Sequence, residues 1–247
     1  MTVSIAIPTG ALTAGALDLL KRAGLADLNA DELGRRLLID GSDLRVILVR
    51  PADVPAYVDH GAADLGIVGK DILWESPGSH YELVDLRFGG CRLVLAVPDN
   101  SKLDGPDTWP PLLRVATKYP RTATSWFETR GQAVELVRLH GSVELAPQVG
   151  LVDAIVDLTA TGRTLSENRL RIAGVLGEST ARLIANQASM KTRTAAVQSV
   201  VSRLREATWR CAGSTSHRGS IRRFRGAGWT SRDLPRNAPW LRTSARR

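Results

Sequence analysis

Apolar residues in this chain fall in short β-branched runs separated by amphipathic stretches, the alternation expected when helices cover the faces of a sheet. Val3 to Pro8 reads as a strand closed by proline, and Thr9-Gly10 turns it into a helical segment with Leu12, Ala16, Leu17 and Leu20 at helical spacing. Leu44 to Val49 is a second strand of buried type, and Pro51 suits the first turn of a helix running to about His60. Asp64 to Val68 is a third strand, after which Gly69 opens a short helix through Trp74. Leu83 to Leu86 and Cys91 to Val97 are further strands, and Arg87-Phe88-Gly89-Gly90 between them lets the chain cross to a second lobe. Beyond Pro106, Pro110 and Pro111, strands are predicted at Leu112 to Thr117, Ser142 to Leu145, Asp153 to Leu158 and Leu170 to Leu176. Helices are predicted over Arg121 to Arg130 and over Thr180 to Arg205, the latter with Val197, Val200, Val201 and Leu204 on one face. The pattern predicts an α/β fold with mainly parallel pairing.

Composition narrows the classes. The 247 residues are 43% hydrophobic and 23% charged, enough to bury a core. No run approaches the roughly 18 apolar residues of a membrane helix. Lys21 and Arg22 follow the first apolar stretch, whereas a signal peptide places its charges before it, so a cytoplasmic location is expected. Cys91 and Cys211, with His60, His80, His140 and His217, form no zinc-ligand spacing. The net charge of +8 is concentrated at one end: Thr208 to Arg247 holds ten arginines, no lysine and one acid, leaving residues 1–207 at −1. This change predicts that the folded body ends near Ala207 and that 208–247 is an unstructured Arg-rich tail, of the composition a GC-rich gene yields when read out of frame. Resequencing across codon 207 tests the frame. A nucleic-acid partner is disfavoured, because the neutral body continues no basic patch.

The most informative stretch is Asp157-Leu-Thr-Ala-Thr-Gly-Arg-Thr164. A hydrophobic strand delivers a carboxylate to its C-terminal end, and a loop of small and hydroxyl residues leads into a helix. Ligands of open α/β sheets bind at such ends, where loop amides hold phosphate. Gly162 permits close backbone approach, while Thr159, Thr161 and Thr164 add hydroxyls. Asp157 is placed to orient sugar hydroxyls or Mg²⁺; Asp153 shares its strand face but lies about 13 Å away by strand geometry, too far to share an ion. The same pattern also suits an ordinary strand-to-helix turn. There is no Walker A loop at Gly69-Lys70, no dinucleotide fingerprint and no nucleophile elbow.

With its flanks Gly141-Ser-Val-Glu-Leu-Ala-Pro147 and Gly150-Leu-Val-Asp-Ala-Ile-Val156, this stretch closely resembles the ATP phosphoribosyltransferases of histidine biosynthesis. Collinear blocks agree: Val49-Arg-Pro-Ala-Asp-Val-Pro-Ala-Tyr-Val58, Asp64-Leu-Gly-Ile-Val-Gly-Lys-Asp71, Gly90-Cys-Arg-Leu-Val-Leu-Ala-Val-Pro98 and Arg114-Val-Ala-Thr-Lys-Tyr-Pro120. The resemblance implies a two-lobed fold like type II periplasmic binding proteins, with 1–88 plus 180–207 in one lobe and 89–179 in the other. ATP and phosphoribosyl pyrophosphate (PRPP) would lie in the cleft, where adenine N1 attacks the anomeric carbon and expels pyrophosphate in a Mg²⁺-dependent step. Residues Thr159, Ala160, Thr161, Gly162, Arg163 and Thr164 would hold the 5′-phosphate.

That chemistry needs cations against the leaving pyrophosphate and negative charge near the oxocarbenium ion. Asp157, Arg50 and Lys118 are the candidates for the reaction itself; Gly10, Gly69, Asp71, Arg92, Glu144 and Asp153 are further substrate contacts, and Asp71 with Asp157 the candidate Mg²⁺ ligands. Each has a plainer role as well: Arg50 and Lys118 as solvated strand ends, Asp71 as a helix cap, Glu144 as a structural pair in an apolar strand. Cys91 reads as a small buried residue rather than a nucleophile, and Trp126-Phe127 as a core face or a purine stack. Many relatives carry Pro-Lys-Gly-Arg after the first strand where this chain has Pro8-Thr9-Gly10-Ala11, two cations fewer. The length resembles the short form, a homo-oligomer that assembles with a regulatory subunit related to histidyl-tRNA synthetase. The alternative is a sensor that binds a phosphorylated ligand without turnover.

Overall fold

The computed structural model describes residues 2–28, 36–41, 44–103 and 105–214. The first sheet is built from β1 (Val3–Pro8), β2 (Leu38–Asp40), β3 (Leu44–Val49), β4 (Leu65–Gly69), β5 (Tyr81–Asp85) and a late strand, β11 (Ala181–Ala185). Their spatial order is β2-β3-β1-β4-β11-β5. Helices α1 (Thr13–Arg22), α2 (Val54–Asp59, entered through a 3₁₀ turn at Pro51–Asp53) and α3 (Lys70–Glu75) follow β1, β3 and β4. The second sheet, ordered β10-β6-β9-β7-β8, uses only residues between the two passages across: β6 (Cys91–Pro98), β7 (Leu112–Thr117), β8 (Ala133–Arg138), β9 (Ala154–Thr159) and β10 (Leu170–Ser179). Helix α4 (Pro120–Glu128) follows β7 and α5 (Arg163–Glu167) follows β9, while α6 (Gln187–Thr192) and α7 (Thr194–Ser214) complete the described chain.

Each sheet has its own core, as a two-lobed α/β fold requires. Ile5, Ile7, Leu19, Leu20, Leu65 and Ile67 are fully buried in the first, with Val197 and Leu204 of α7 closing one face. In the second, Leu93, Leu95, Leu113, Val115 and Phe127 pack together. Phe127 therefore serves the core, and Trp126 lies edge-on to it at 5.0 Å with the Arg130 guanidinium 3.8 Å from its own ring.

Four expectations change. Pairing is mixed rather than mainly parallel: β1 runs parallel to β3 and β4, and β7 to β8 and β9, but β11, β6 and β10 enter antiparallel. The strand expected at Ser142 to Leu145 is a 3₁₀ turn, Val143–Leu145, preceded by Ser142 in the left-handed region (φ 47°). The edge position is taken instead by β8, whose alternating exposed and half-buried residues had no apolar run to announce it. The helix expected from Thr180 begins as strand β11, because Ala181 to Ala185 fills the slot between β4 and β5; short apolar runs suit strand or helix until a free sheet edge decides. Finally, α7 continues through Ser214, with Thr208 buried and its hydroxyl donating to the Leu204 carbonyl at 2.9 Å, so 208–214 are helical rather than tail. The rest of the expected tail, 215–247, lies outside the described residues.

Asp64 ties the first lobe together. Its carboxylate accepts from the Ser4 amide (2.8 Å), the Ser4 hydroxyl (2.9 Å), the Ser189 hydroxyl (2.7 Å) and Arg193 (2.6 Å), joining β1 and the start of β4 to α6 and α7. Burial alone would raise its pKa, but the Ser4 and Ser189 donors with the Arg193 charge outweigh that and lower it. A lowered folded pKa means stability that is present above the unfolded carboxylate value, near pH ~3.9, and lost as pH falls through the folded one. Asp64→Asn should therefore cost about 2 to 3 kcal/mol in urea unfolding at pH 7, a difference that shrinks below pH ~3.9.

Candidate active site

The parallel strands of each sheet end in loops that carry the candidate residues. In the first lobe, β1 runs into Gly10, β3 into the exposed Arg50, and β4 ends at Gly69 before Lys70 and Asp71. In the second, β7 ends before Lys118, and β9 carries Asp157 and delivers the 160–164 loop. The two sets meet at Asp71 and Tyr119.

Asp71, at the start of α3, is buried. Its Oδ1 accepts from the Ser179 hydroxyl at 2.7 Å, the Ser179 oxygen accepts from the Asp71 amide at 3.0 Å, and Oδ2 lies 3.4 Å from the Tyr119 hydroxyl. A Cβ on Gly69 would collide with the Asp71 carboxylate, so glycine is required by close approach there. Tyr119, between Lys118 and α4, is 5% exposed; burial first, then the charges of Asp71, Asp157 and Cys91, raise its pKa far beyond the usual phenol range. The Cys91 thiol is likewise pushed up, by burial and then by Asp71, so it is a protonated thiol at neutral pH.

Asp157 is 6% exposed on β9. The Lys118 ammonium stands 3.1 Å from its Oδ1, yet no well-aligned hydrogen bond reaches that oxygen. Burial raises the Asp157 pKa; Lys118 and the Leu158 amide pull it back only in part, and Glu144 adds to the rise. Glu144 thus reaches the same electrostatic neighbourhood from its 3₁₀ turn rather than from a strand. Antiparallel register sets Arg92 opposite Thr159 at the root of the loop. Within the loop the Thr159 hydroxyl accepts from the Gly162 amide at 2.8 Å, and Gly162 has a left-handed φ of 81° that leaves open space above its Cα. Arg163 bonds forward to Glu167 at 2.7 Å.

Asp153 is not brought to this cluster. It opens the opposite end of β9, where both its oxygens pair with Arg114 (2.9 Å to Nη2, 3.0 Å to the amide), and these hydrogen bonds hold its carboxyl below the ordinary range. Among the described residues no three acidic, histidine or cysteine side chains gather as a metal cage. Sequence reasoning missed Ser179, Thr117 and Tyr119. Thr117 donates to the Val156 carbonyl (2.7 Å) and accepts from the Tyr119 amide (2.9 Å), locking the Lys118 loop to β9, and only the block Arg114 to Pro120 hinted at it.

Two facing sheet ends with a buried carboxylate, a lysine and a threonine-rich loop suit a phosphorylated sugar. Residues 50–206 match the HisG family model, ATP phosphoribosyltransferase. The chain belongs to the ATP phosphoribosyltransferase family. The ATP phosphoribosyltransferase of Caldanaerobacter subterraneus subsp. tengcongensis is 47% identical over 206 residues, covering 83% of this chain and 96% of that protein. That of Rubrobacter xylanophilus is 49% identical over 199 residues, covering 80% and 92%. Among solved structures, the ATP phosphoribosyl transferase (HisG:HisZ) complex from Thermotoga maritima aligns with a TM-score of 0.73 at 34% identity, over 85% of this chain and all (100%) of that one. Periplasmic aliphatic sulphonate-binding SsuA from Escherichia coli aligns at 0.57 with 15% identity, over 86% and 70%, which shows the shared two-lobed fold alone. Family membership makes the chain a phosphoribosyltransferase of the first step of histidine biosynthesis.

Lys118 is the charge that restrains the rise of the Asp157 pKa. Lys118→Met should move the Asp157 titration to higher pH, read by carboxyl carbon NMR; an unchanged or lower midpoint would contradict the pairing.

Proposed function

We propose that the loop Thr159, Ala160, Thr161, Gly162, Arg163 and Thr164 holds the 5′-phosphate of PRPP, with Asp157 at the ribose hydroxyls, while ATP enters from the first lobe. The observation that carries this is the buried Asp157 carboxylate, 3.1 Å from the exposed Lys118 ammonium, beside a glycine-bearing threonine loop at a strand's carboxyl end. As adenine N1 bonds to the anomeric carbon and the C–O bond to pyrophosphate breaks, positive charge grows on the ribose and negative charge on the leaving group. Asp157 stabilises the first. Lys118, Arg92 and Arg50 face the second, and Glu144 adds negative potential on the ribose side; Gly10 and Gly69 let the backbone approach the substrates.

The family typically uses a divalent metal. We read it as Mg²⁺ carried by the pyrophosphate, with Asp157 as the buried carboxylate, among the described residues, that has an oxygen without an aligned donor. Asp71 fits that ion poorly, since Ser179 and Tyr119 occupy its oxygens. When bound, the ion neutralises the leaving group. Asp153, paired with Arg114, is read as structural. The lobes are read as 1–88 plus 180–207 and 89–179, the location as cytoplasmic; no described helix is long and apolar enough to cross a membrane. From the HisG:HisZ neighbour we infer a homo-oligomer assembled with a regulatory subunit related to histidyl-tRNA synthetase.

Incubation with ATP, PRPP, Mg²⁺ and pyrophosphatase should yield phosphoribosyl-ATP by mass; binding without product from a folded protein would favour a sensor. Asp157→Asn should lower kcat about 100-fold. Because burial raises the Asp157 pKa, its ionised form costs stability at pH 7, so the same variant should melt no lower than wild type. Histidine should inhibit only with the regulatory subunit present; tight binding by the isolated chain, measured by calorimetry, would contradict that.

A further inference from the structure

Helix α4 begins two residues after Lys118, so whatever orients its first turn orients that lysine. The first turn of a helix leaves amides without intrahelical partners, and a side chain at the N-cap ordinarily takes one. Here Tyr119 at the N-cap provides no such bond, and the first turn contains no acid. Pro120 has no N–H, and the Tyr119 amide goes to Thr117. The amides of Arg121 and Thr122 donate to Glu75, to Oε1 at 2.9 Å and Oε2 at 3.0 Å, and the Thr122 hydroxyl donates to Oε2 at 3.0 Å.

Glu75 belongs to the other lobe. It ends α3, four residues after Asp71, a spacing that sets both carboxylates on one helix face. Asp71 meets Ser179 and Tyr119, Glu75 meets α4, and between them Trp74 and Ile72 pack into the second lobe's core. A Cβ on Gly177 would strike the Trp74 ring, so β10 accepts this helix closely. One face of α3 therefore carries two acceptors into the neighbouring lobe.

We infer that Glu75 is a positioning residue: by capping α4 across the lobe boundary it holds the Lys118 loop, and the lobe that carries it, in register with the first lobe. This rests on the reading of Lys118 and Asp157 as part of the site. A carboxylate is suited to the task because it accepts two amides at once and complements the positive end of the α4 dipole. Its origin in the other lobe makes the cap also an interlobe tie.

The test separates capping from tying. Glu75→Ala removes both; Glu75→Ala with Thr122→Asp returns a carboxylate to the α4 first turn from its own lobe, keeping the net charge. The full chain of each variant is assayed with ATP, PRPP and Mg²⁺ alongside thermal melting, with Glu75→Gln as a milder variant that keeps one acceptor. The inference expects the double variant to regain the wild-type melting temperature while kcat stays about 10- to 100-fold down, with KM for PRPP within about threefold. Glu75→Gln should fall between. Recovery of kcat in the double variant would reduce Glu75 to a helix cap and overturn the inference, as would a loss confined to KM or full activity in Glu75→Gln. Lys118→Ala serves as the separate control: if it retains full kcat, the reading of the site fails, whatever Glu75 does.

Discussion

The structure depends on two backbone segments that cross side by side between the sheets. Residues 86–90 lead out of the first sheet and 179–181 lead back, and they are bonded to each other: the Leu86 amide to the Ala181 carbonyl and the Ala181 amide to the Phe88 carbonyl, both at 2.9 Å. The Lys70 amide adds a bond to the Thr180 carbonyl at 3.0 Å, anchoring α3 to the return segment. Arg87 takes a positive φ of 60° to make the passage, and its guanidinium lies 4.0 Å from the Trp209 ring. Because the only covalent links between the sheets lie at this one place, their facing strand ends are set by a small group of side chains. Asp71 and Ser179 at the crossing, and Glu75 at the end of α3 against the first turn of α4, are among those side chains.

Charge is distributed to match. Asp64 is buried with enough donors to remain ionised, whereas Asp157 is buried with one imperfectly aligned lysine and has its pKa raised. The contrast separates a carboxylate that holds the fold from one left partly unsatisfied in the candidate site. Asp153 belongs with the first kind. It shares a strand with Asp157, but the strand's other end meets Arg114 instead of the cleft.

The first loop, Thr9-Gly10-Ala11, carries no cation, so the candidate cations Arg50, Arg92 and Lys118 stand on other strand ends. Lys118 and Arg92 belong to the second sheet, Arg92 opposite Thr159 by register and Lys118 paired with Asp157 at 3.1 Å. On the proposed reading, such an arrangement gives that lobe most of the charge facing the pyrophosphate as well as the ribose. The interlobe tie through Glu75 then matters more, since it relates that lobe to the one proposed to receive ATP.

Local signals were legible where a residue's neighbours in sequence are also its neighbours in space. The buried strands β1, β3, β6, β7 and β9 follow from continuous apolar runs, and the candidate phosphate loop from small and hydroxyl residues after a strand. Family membership was carried by the same blocks. What those signals left open required contacts across long separations. Strand β11 and a helix compete on hydrophobicity alone, and the free edge of β4 settles it. Strand β8 has no apolar run of its own and exists because β7 offers a partner. Asp71 reads as a cap until Ser179, 108 residues later, donates to it. Nothing in the sequence singles out Glu75, whose partners lie 46 and 47 residues on. By itself the sequence determined the class of fold, the family and the strand ends that carry the candidate residues, because these depend on local periodicity and residue type. Only the tertiary structure decided which carboxylates are satisfied and which are spare, because that depends on donors brought from elsewhere in the chain.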